Sequence, residues 1–317
     1  MPAIEILGFQ KNYTVGFWRK QQKTGLEPLY LSVEQNEVFG FLGPNGAGKT
    51  TTLKLLVGLI FPTEGTAKIL GMDWRDPKVK SMIGFLPEQP YFYDHLSAPE
   101  LLEYFAWLSG VPAAERKRRV DAVLERVRLA DVGKLQLRKF SKGMLQRVGI
   151  AQAILHDPQV VILDEPMSGL DPVGRREVRD LINTLKDEGK TVFFSTHILA
   201  DAESLCDRVA VIHKGELRGV GVVSELVTSA EKANQTEILW AGGETALPAI
   251  KALGAECKIH GPTTHAIVPV AELDRALEII RNSRGQIISV NPVRSSLEDY
   301  FIQQIGEKPQ SALEVAR

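Results

Sequence analysis

Apolar positions along the chain fall into two kinds of run. Residues 4–9, 37–42, 82–86, 160–163, 191–195 and 208–213 are short and rich in β-branched and aromatic side chains, and they read as strands. Several of the stretches between them carry apolar residues three and four apart, the spacing of a helix face, so the first part of the chain reads as an α/β sheet domain. Between residues 90 and 140 the strand signals vanish. Ser97-Ala98-Pro99-Glu100 is a capping box with proline early in the helix and opens a helical run over 101–108. Residues 113–129 are strongly charged with Val120, Val123, Leu124 and Val127 on one face. An all-helical subdomain over about 90–140 therefore interrupts the sheet domain of residues 1–227, whose last helical turn is 224–227.

Polar residues 228–235 have the composition of a linker. Beyond them the pattern predicts strand 236–240, helix 246–253, strands 256–259 and 264–268, helix 272–282 and strand 286–290. That order, βαββαβ, is the α+β ferredoxin-like split unit and gives a second domain over 236–305. Ser296-Leu297-Glu298-Asp299 opens a last helix over 296–304 like a capping box, and residues 306–317 are expected to fray as a tail.

A length of 317 residues with 44% apolar and 24% charged side chains fits two domains with a sizeable core. With 38 basic and 39 acidic residues the net charge is -1, which offers no global field for nucleic acid or an anionic membrane. No nucleic-acid partner is expected. Cys206 and Cys257, without C-x-x-C spacing, give no support to a disulfide framework or a zinc site, and the cytosol is the natural compartment. The first residues lack the basic and apolar regions of a signal peptide, and no apolar run is long enough to span a bilayer. Work at a membrane would need a separate spanning subunit.

Candidate chemistry begins at Gly43, Pro44, Asn45, Gly46, Ala47, Gly48, Lys49 and Thr50, which fit the pattern G-x-x-x-x-G-K-[ST] between a strand-like run and a helical one starting at Thr51. Glycines let backbone N–H groups curl inward on phosphates, and the helix N-terminus adds partial positive charge. Lys49 would reach the β- and γ-phosphates of a nucleoside triphosphate, and the Thr50 hydroxyl would ligate Mg²⁺. A second apolar strand ends in Asp164 and Glu165. In a nucleotide-binding sheet these carboxylates would hold the metal and orient the attacking water, respectively. Taken alone, the pair reads equally well as a strand running into an acidic helix start.

Phe140-Ser141-Lys142-Gly143-Met144, lying between those two motifs, resembles the signature motif of ATP-binding cassette (ABC) ATPases. Other landmarks of that family follow in order. Ser168-Gly169-Leu170-Asp171 is similar to the D-loop, and Ser195-Thr196-His197 is similar to the switch-histidine segment. The resemblance covers the first domain nearly end to end. It implies an ABC ATPase (P-loop NTPase) fold that binds ATP and Mg²⁺ and hydrolyses the nucleotide, with Glu165 and His197 catalytic and Thr50 and Asp164 at the metal. It also implies a head-to-tail homodimer in which Ser141 and Gly143 of a second copy face the γ-phosphate and Asp171 lies at the dimer interface. Tyr13 is the candidate for stacking on adenine, a hairpin or core tyrosine being the competing reading.

Two departures from the family pattern stand out. Where the family carries its metal-sensing glutamine, the chain reads Phe85-Leu86-Pro87-Glu88-Gln89-Pro90, leaving Glu88 and Gln89 both as candidates. Lys142-Gly143-Met144 replaces glycine, glycine and glutamine. The details and the C-terminal domain resemble the branch that exports drugs, polysaccharides or lipids through a separate transmembrane permease, so the resemblance places the chain at the cytoplasmic face of the membrane. Tyr91, Phe92 and Tyr93 suit a docking groove or the domain's own core. Gly16-Phe17-Trp18-Arg19-Lys20 reads as a hairpin tip or as a contact for headgroups or a partner subunit. The rival readings are a soluble ABC ATPase acting on ribosomes or nucleic acid, which usually carries paired cassettes or a long coiled coil, and a ligand-sensing role for the C-terminal domain.

Overall fold

The computed structural model describes residues 1–16, 21–133, 135–227, 235–293 and 296–306. The expected linker apart from Gln235, the tail beyond Gly306, and Phe17, Trp18, Arg19 and Lys20 of the hairpin-tip segment lie outside the described residues. The chain divides into two compact units after Val223, the second running from Ser224 to Tyr300, and a further division falls within the last helix, Leu297–Gly306.

The first unit is built on two sheets. A long hairpin, β1 (Ile4–Val15) and β2 (Gln21–Val33), pairs on its other side with β4 (Glu64–Ile69), which joins β5 (Met72–Asp73) in an antiparallel sheet ordered β2-β1-β4-β5. The other sheet holds β3 (Val38–Leu42), β6 (Ile83–Leu86), β7 (Val160–Asp164), β8 (Thr191–Thr196), β9 (Arg208–His213) and β10 (Glu216–Val222), ordered β10-β9-β3-β8-β7-β6. Strands β9, β3, β8, β7 and β6 run parallel, and only β10 is antiparallel to its neighbour. Every residue of β3, β7 and β8 is buried. Parallel strands covered on both faces call for such uninterrupted apolar runs, and that is why these three are plain in the sequence.

Helices α1 (Lys49–Leu56), α2 (Pro77–Lys80), α3 (Ala98–Leu108), α4 (Ala113–Arg126), α5 (Lys142–Ile154), α6 (Pro172–Asp187) and α7 (Leu199–Leu205) complete this unit. The capping box at Ser97 forms as expected, with its backbone N–H donating to Glu100 Oε2 at 2.8 Å. The charged helix α4 stops at Arg126, short of the expected 129, because Arg128 takes a left-handed φ of 54°. In the core Phe39 and Phe193 stack at 5.7 Å and Phe41 leans on the same ring. Burying each such ring contributes about 1.5–3 kcal/mol.

In the second unit β11 (Gln235–Ala241), β12 (Glu256–His260), β13 (Thr263–Pro269) and β14 (Gln286–Pro292) form an antiparallel sheet ordered β12-β13-β11-β14. Helices Leu247–Ala252 and Leu273–Asn282 fill the two crossovers, giving the ferredoxin-like arrangement. Alternate residues Ile238 and Trp240 of β11 and Ala266 and Val268 of β13 meet Ile250, Ala276 and Ile280 in a single core. The period of two along β11 and β13 is what a sheet with one covered face requires.

Candidate active site

The parallel strands deliver their chemistry at their carboxyl ends. The loop after β3, the end of β7 and the turn after β8 lie side by side because β3 pairs with β8 and β8 with β7. There they wall a cavity of about 840 Å³. Of the residues singled out in the sequence, Tyr13, Asn45, Gly46, Ala47, Gly48, Lys49, Thr50, Thr51, Glu88, Glu165 and His197 line it.

Gly48 caps α1 with φ 111°, a conformation that costs a residue with a Cβ too much, and so turns the loop directly into the helix. The first residue of that helix is Lys49, whose side chain is 6% exposed. Its ammonium has three donors and finds three acceptors: Gly43 O at 2.7 Å, Pro44 O at 3.3 Å and Glu165 Oε1 at 3.2 Å. Gly43 and Pro44 thus serve through their carbonyls and do not line the cavity.

Glu165 adopts a left-handed φ of 50° immediately after β7. A non-glycine residue there costs about 1 kcal/mol and needs fixing from outside. Ser195 supplies the fixing: its carbonyl accepts the Glu165 N–H at 3.2 Å and its Oγ accepts the same N–H at 3.0 Å. That hydroxyl donates in turn to Asp164 Oδ1 at 2.6 Å. Asp164 is buried and is not among the residues lining the cavity, with one carboxylate oxygen committed to Ser195. The backbone turn swings the Glu165 carboxylate toward the opening, where Oε2 lies 2.9 Å from His197 Nδ1. With an ionised carboxylate, which only accepts, Nδ1 would be the donor of this contact. Lys49, Glu165 and His197 form one connected row. Such a row can bind anionic oxygen at its cationic end and accept a proton from water at its centre.

Opposite stands Tyr13, with Lys11 Nζ over its ring at 5.4 Å. It lies in β1, which continues past the expected end at residue 9 and pairs Tyr13 with Lys23 of β2. Thr14, Lys23, Thr24 and Gly25 also line the cavity and were not singled out in the sequence. Ser168 lines it too, although the resemblance pointed the segment 168–171 toward a partner. Of the two candidates in 85–90, Glu88 lines the cavity and Gln89 does not.

Ser141, Gly143 and Asp171 do not line this cavity. Ser141 caps α5, its Oγ accepting from Met144 N–H at 3.2 Å, and Asp171 caps α6 through Gly174 N–H at 2.8 Å. Lys142, which departs from the family pattern, lies along Gly169 of the segment 168–171. His156 and His213 are both held below the usual histidine value, chiefly by burial.

A phosphate-binding loop, a strand-end carboxylate pair and a facing histidine on one parallel sheet define a P-loop nucleotide hydrolase of the cassette type. Comparison with known proteins narrows this further. The family model "ABC transporter" matches residues 26–168. An ABC transporter ATP-binding protein of Synechocystis is 45% identical over 96% of this chain and 85% of its own length. The bacitracin transport ATP-binding protein BcrA of Bacillus licheniformis is 37% identical over 89% of this chain and 92% of its own. Among solved structures, an ATP-binding subunit of an ABC transporter superposes with a TM-score of 0.62 at 33% identity, covering 71% of this chain and 91% of that one. The dimeric post-hydrolysis cassette MJ0796, bound to ADP and Pi, gives a TM-score of 0.64 at 25% identity over 69% and 98% of the two chains. The chain belongs to the ABC transporter ATP-binding proteins, and it is an ATP-binding, ATP-hydrolysing enzyme. No helix among the described residues is long and apolar enough to cross a membrane.

Proposed function

We propose that this chain energises export of a substrate through a separate transmembrane permease, working as a homodimer at the cytoplasmic face of the membrane. The observation that carries the hydrolytic part is the connected row Lys49–Glu165–His197 inside the cavity. ATP would lie with its adenine on Tyr13 and its phosphates in the loop 43–50. A phosphate oxygen is a stronger acceptor than the Gly43 and Pro44 carbonyls, so it would draw Lys49 from them and compete with Glu165 for it. Glu165, freed to that extent of its cation, is then placed to orient water and take its proton, and His197 to contact the γ-phosphate.

The donors present fit Mg²⁺. Thr50 and Asp164 offer hard oxygens, and among the described residues no group of three His, Cys, Asp or Glu forms a closed metal cage. An ion that keeps several waters and shares phosphate oxygens needs no more than this, and it would neutralise charge on the transferred group. Glu88 is the better candidate than Gln89 to reach that water shell, since it alone of the two lines the cavity.

Ser141 and Gly143 sit outside the cavity of their own chain, which is what a head-to-tail dimer requires if they are to complete a partner's site. Closure by ATP and opening after hydrolysis would then make an interface switch. A dimeric relative, and one named for bacitracin transport, support the assembly and the export branch. Residues 1–227 would form the cassette and 236–305 a separate domain supporting dimerisation or docking. Glu165→Gln is expected to keep ATP binding and to lower turnover about 10³-fold, within the range for loss of a general base, as read by phosphate release. Turnover at the parent rate would remove Glu165 from this role.

A further inference from the structure

Asp201 is buried on α7, four positions after His197, and takes no part in the row described above. Its Oδ1 lies 3.6 Å from Arg179 Nη2 on α6. Asp201 Oδ2 and Arg179 Nε are both buried and have no hydrogen-bond partner among the described residues. A guanidinium and a carboxylate that served only to hold two helices together would be expected to close into a two-pronged pair. This one makes a single long contact and leaves one further group on each side unsatisfied. Burial raises the Asp201 carboxyl above its usual value even with Arg175 and Arg179 nearby, as a loosely engaged pair should.

Both ends of the pair lead to the active site. One turn before Arg179, Arg175 donates through Nε to Leu170 O at 3.3 Å. Leu170 belongs to the segment 168–171, whose Ser168 lines the nucleotide cavity and whose Asp171 caps α6. On the other side, the Asp201 N–H donates to Ile198 O at 3.2 Å, and the Ile198 N–H donates to Thr196 Oγ1 at 3.0 Å. The first turn of α7 is therefore fixed to the chain on either side of His197.

We propose that Asp201 is a positioning residue that ties the His197 segment to the loop 168–171 through Arg179 and Arg175, so that the two segments move together during ATP hydrolysis. The unsatisfied groups give the tie room to tighten when the histidine segment shifts. The inference rests on the ATPase reading of the site and adds a second consequence to it. In a head-to-tail dimer, the state of the γ-phosphate sensed by His197 would be passed to the loop that approaches the neighbouring site.

Asp201→Asn, close in volume but without the charge, tests this in the full chain. Amide hydrogen exchange of peptides covering residues 168–175 is expected to quicken about fivefold or more, although the substitution lies on another helix. The kcat for ATP is expected to fall about tenfold per folded molecule with KM changed less than about twofold, as for an interaction made after binding. Asp201→Glu should recover at least half of kcat. Combining Asp201→Asn with Arg175→Gln should cost no more than the worse single change, since both break one tie. Unchanged exchange over 168–175, a kcat per folded molecule equal to the parent's, or multiplicative effects in the double variant would each overturn the proposal. The exchange measurement needs no turnover, so it decides the tie even where the transporter reading fails.

Discussion

Tyr13 keeps its place through the absence of a side chain elsewhere. A Cβ on Gly25 would stand 2.5 Å from Tyr13 Cε2, so the ring lies across the hairpin only because residue 25 is glycine. Gly25→Val should therefore act as a loss of Tyr13. Stacking of this kind contributes about 1 kcal/mol, so Tyr13→Ala and Gly25→Val are each expected to weaken ATP binding about fivefold, and the double variant no further. Fluorescence titration with a nucleotide analogue checks this, and unchanged affinity in either variant contradicts it. Glu165 shows the same dependence on a distant group. Its left-handed backbone is set by Ser195 on the next strand, a relation absent from the local sequence. The residues of the phosphate loop were legible because backbone geometry and chemistry are there contained in eight consecutive positions. Gly25 was not, since its meaning comes from a ring on the strand opposite.

Strands differed in legibility for a reason that also governs the site. β3, β7 and β8 are buried throughout, and their apolar runs announced them. β2 was implied only by the hairpin-tip reading of residues 16–20 and had no strand signal of its own: its first four residues are exposed, and its buried positions begin only at Leu26. With β2 went Lys23, Thr24 and Gly25, one side of the nucleotide cavity. β4, with the sequence Glu-Gly-Thr-Ala-Lys-Ile, was missed on the same ground, having two buried residues. The contact between α5 and the edge strand β6 gives a further prediction. His156, just after α5, holds Ile83 O of β6 through Nε2 at 3.0 Å, while its buried Nδ1 has no partner among the described residues. Burial lowers its pKa below 6.5, against the smaller opposing influence of the Ile83 bond and Asp157, with Arg119 lowering it further. The unfolded chain then binds the proton first. The stabilisation is complete above about pH 6.5 and is lost as pH falls from there toward the depressed folded value. His156→Gln, which keeps a donor but does not titrate, is expected to lose less of its urea midpoint between pH 7.5 and 5.5 than the parent. Identical pH profiles would contradict this.

On the proposed function, the cassette as a single chain would present two half-sites that do not meet. Lys49, Glu165 and His197 share a cavity, whereas Ser141 caps a helix outside it and Gly143 lies in that helix's first turn. No composition or periodicity points to that division, which rests on the order of motifs along the chain. The ferredoxin-like unit was readable directly, because its central strands β11 and β13 keep a period of two and its crossovers are short. The account turns on ATP joining two copies. Light scattering on the purified Glu165→Gln chain, with saturating Mg-ATP and with Mg-ADP, measures this without a membrane partner. The predicted result is twice the monomer mass with ATP and the monomer mass with ADP. A monomer under both conditions, with ATP shown to be bound, would contradict it.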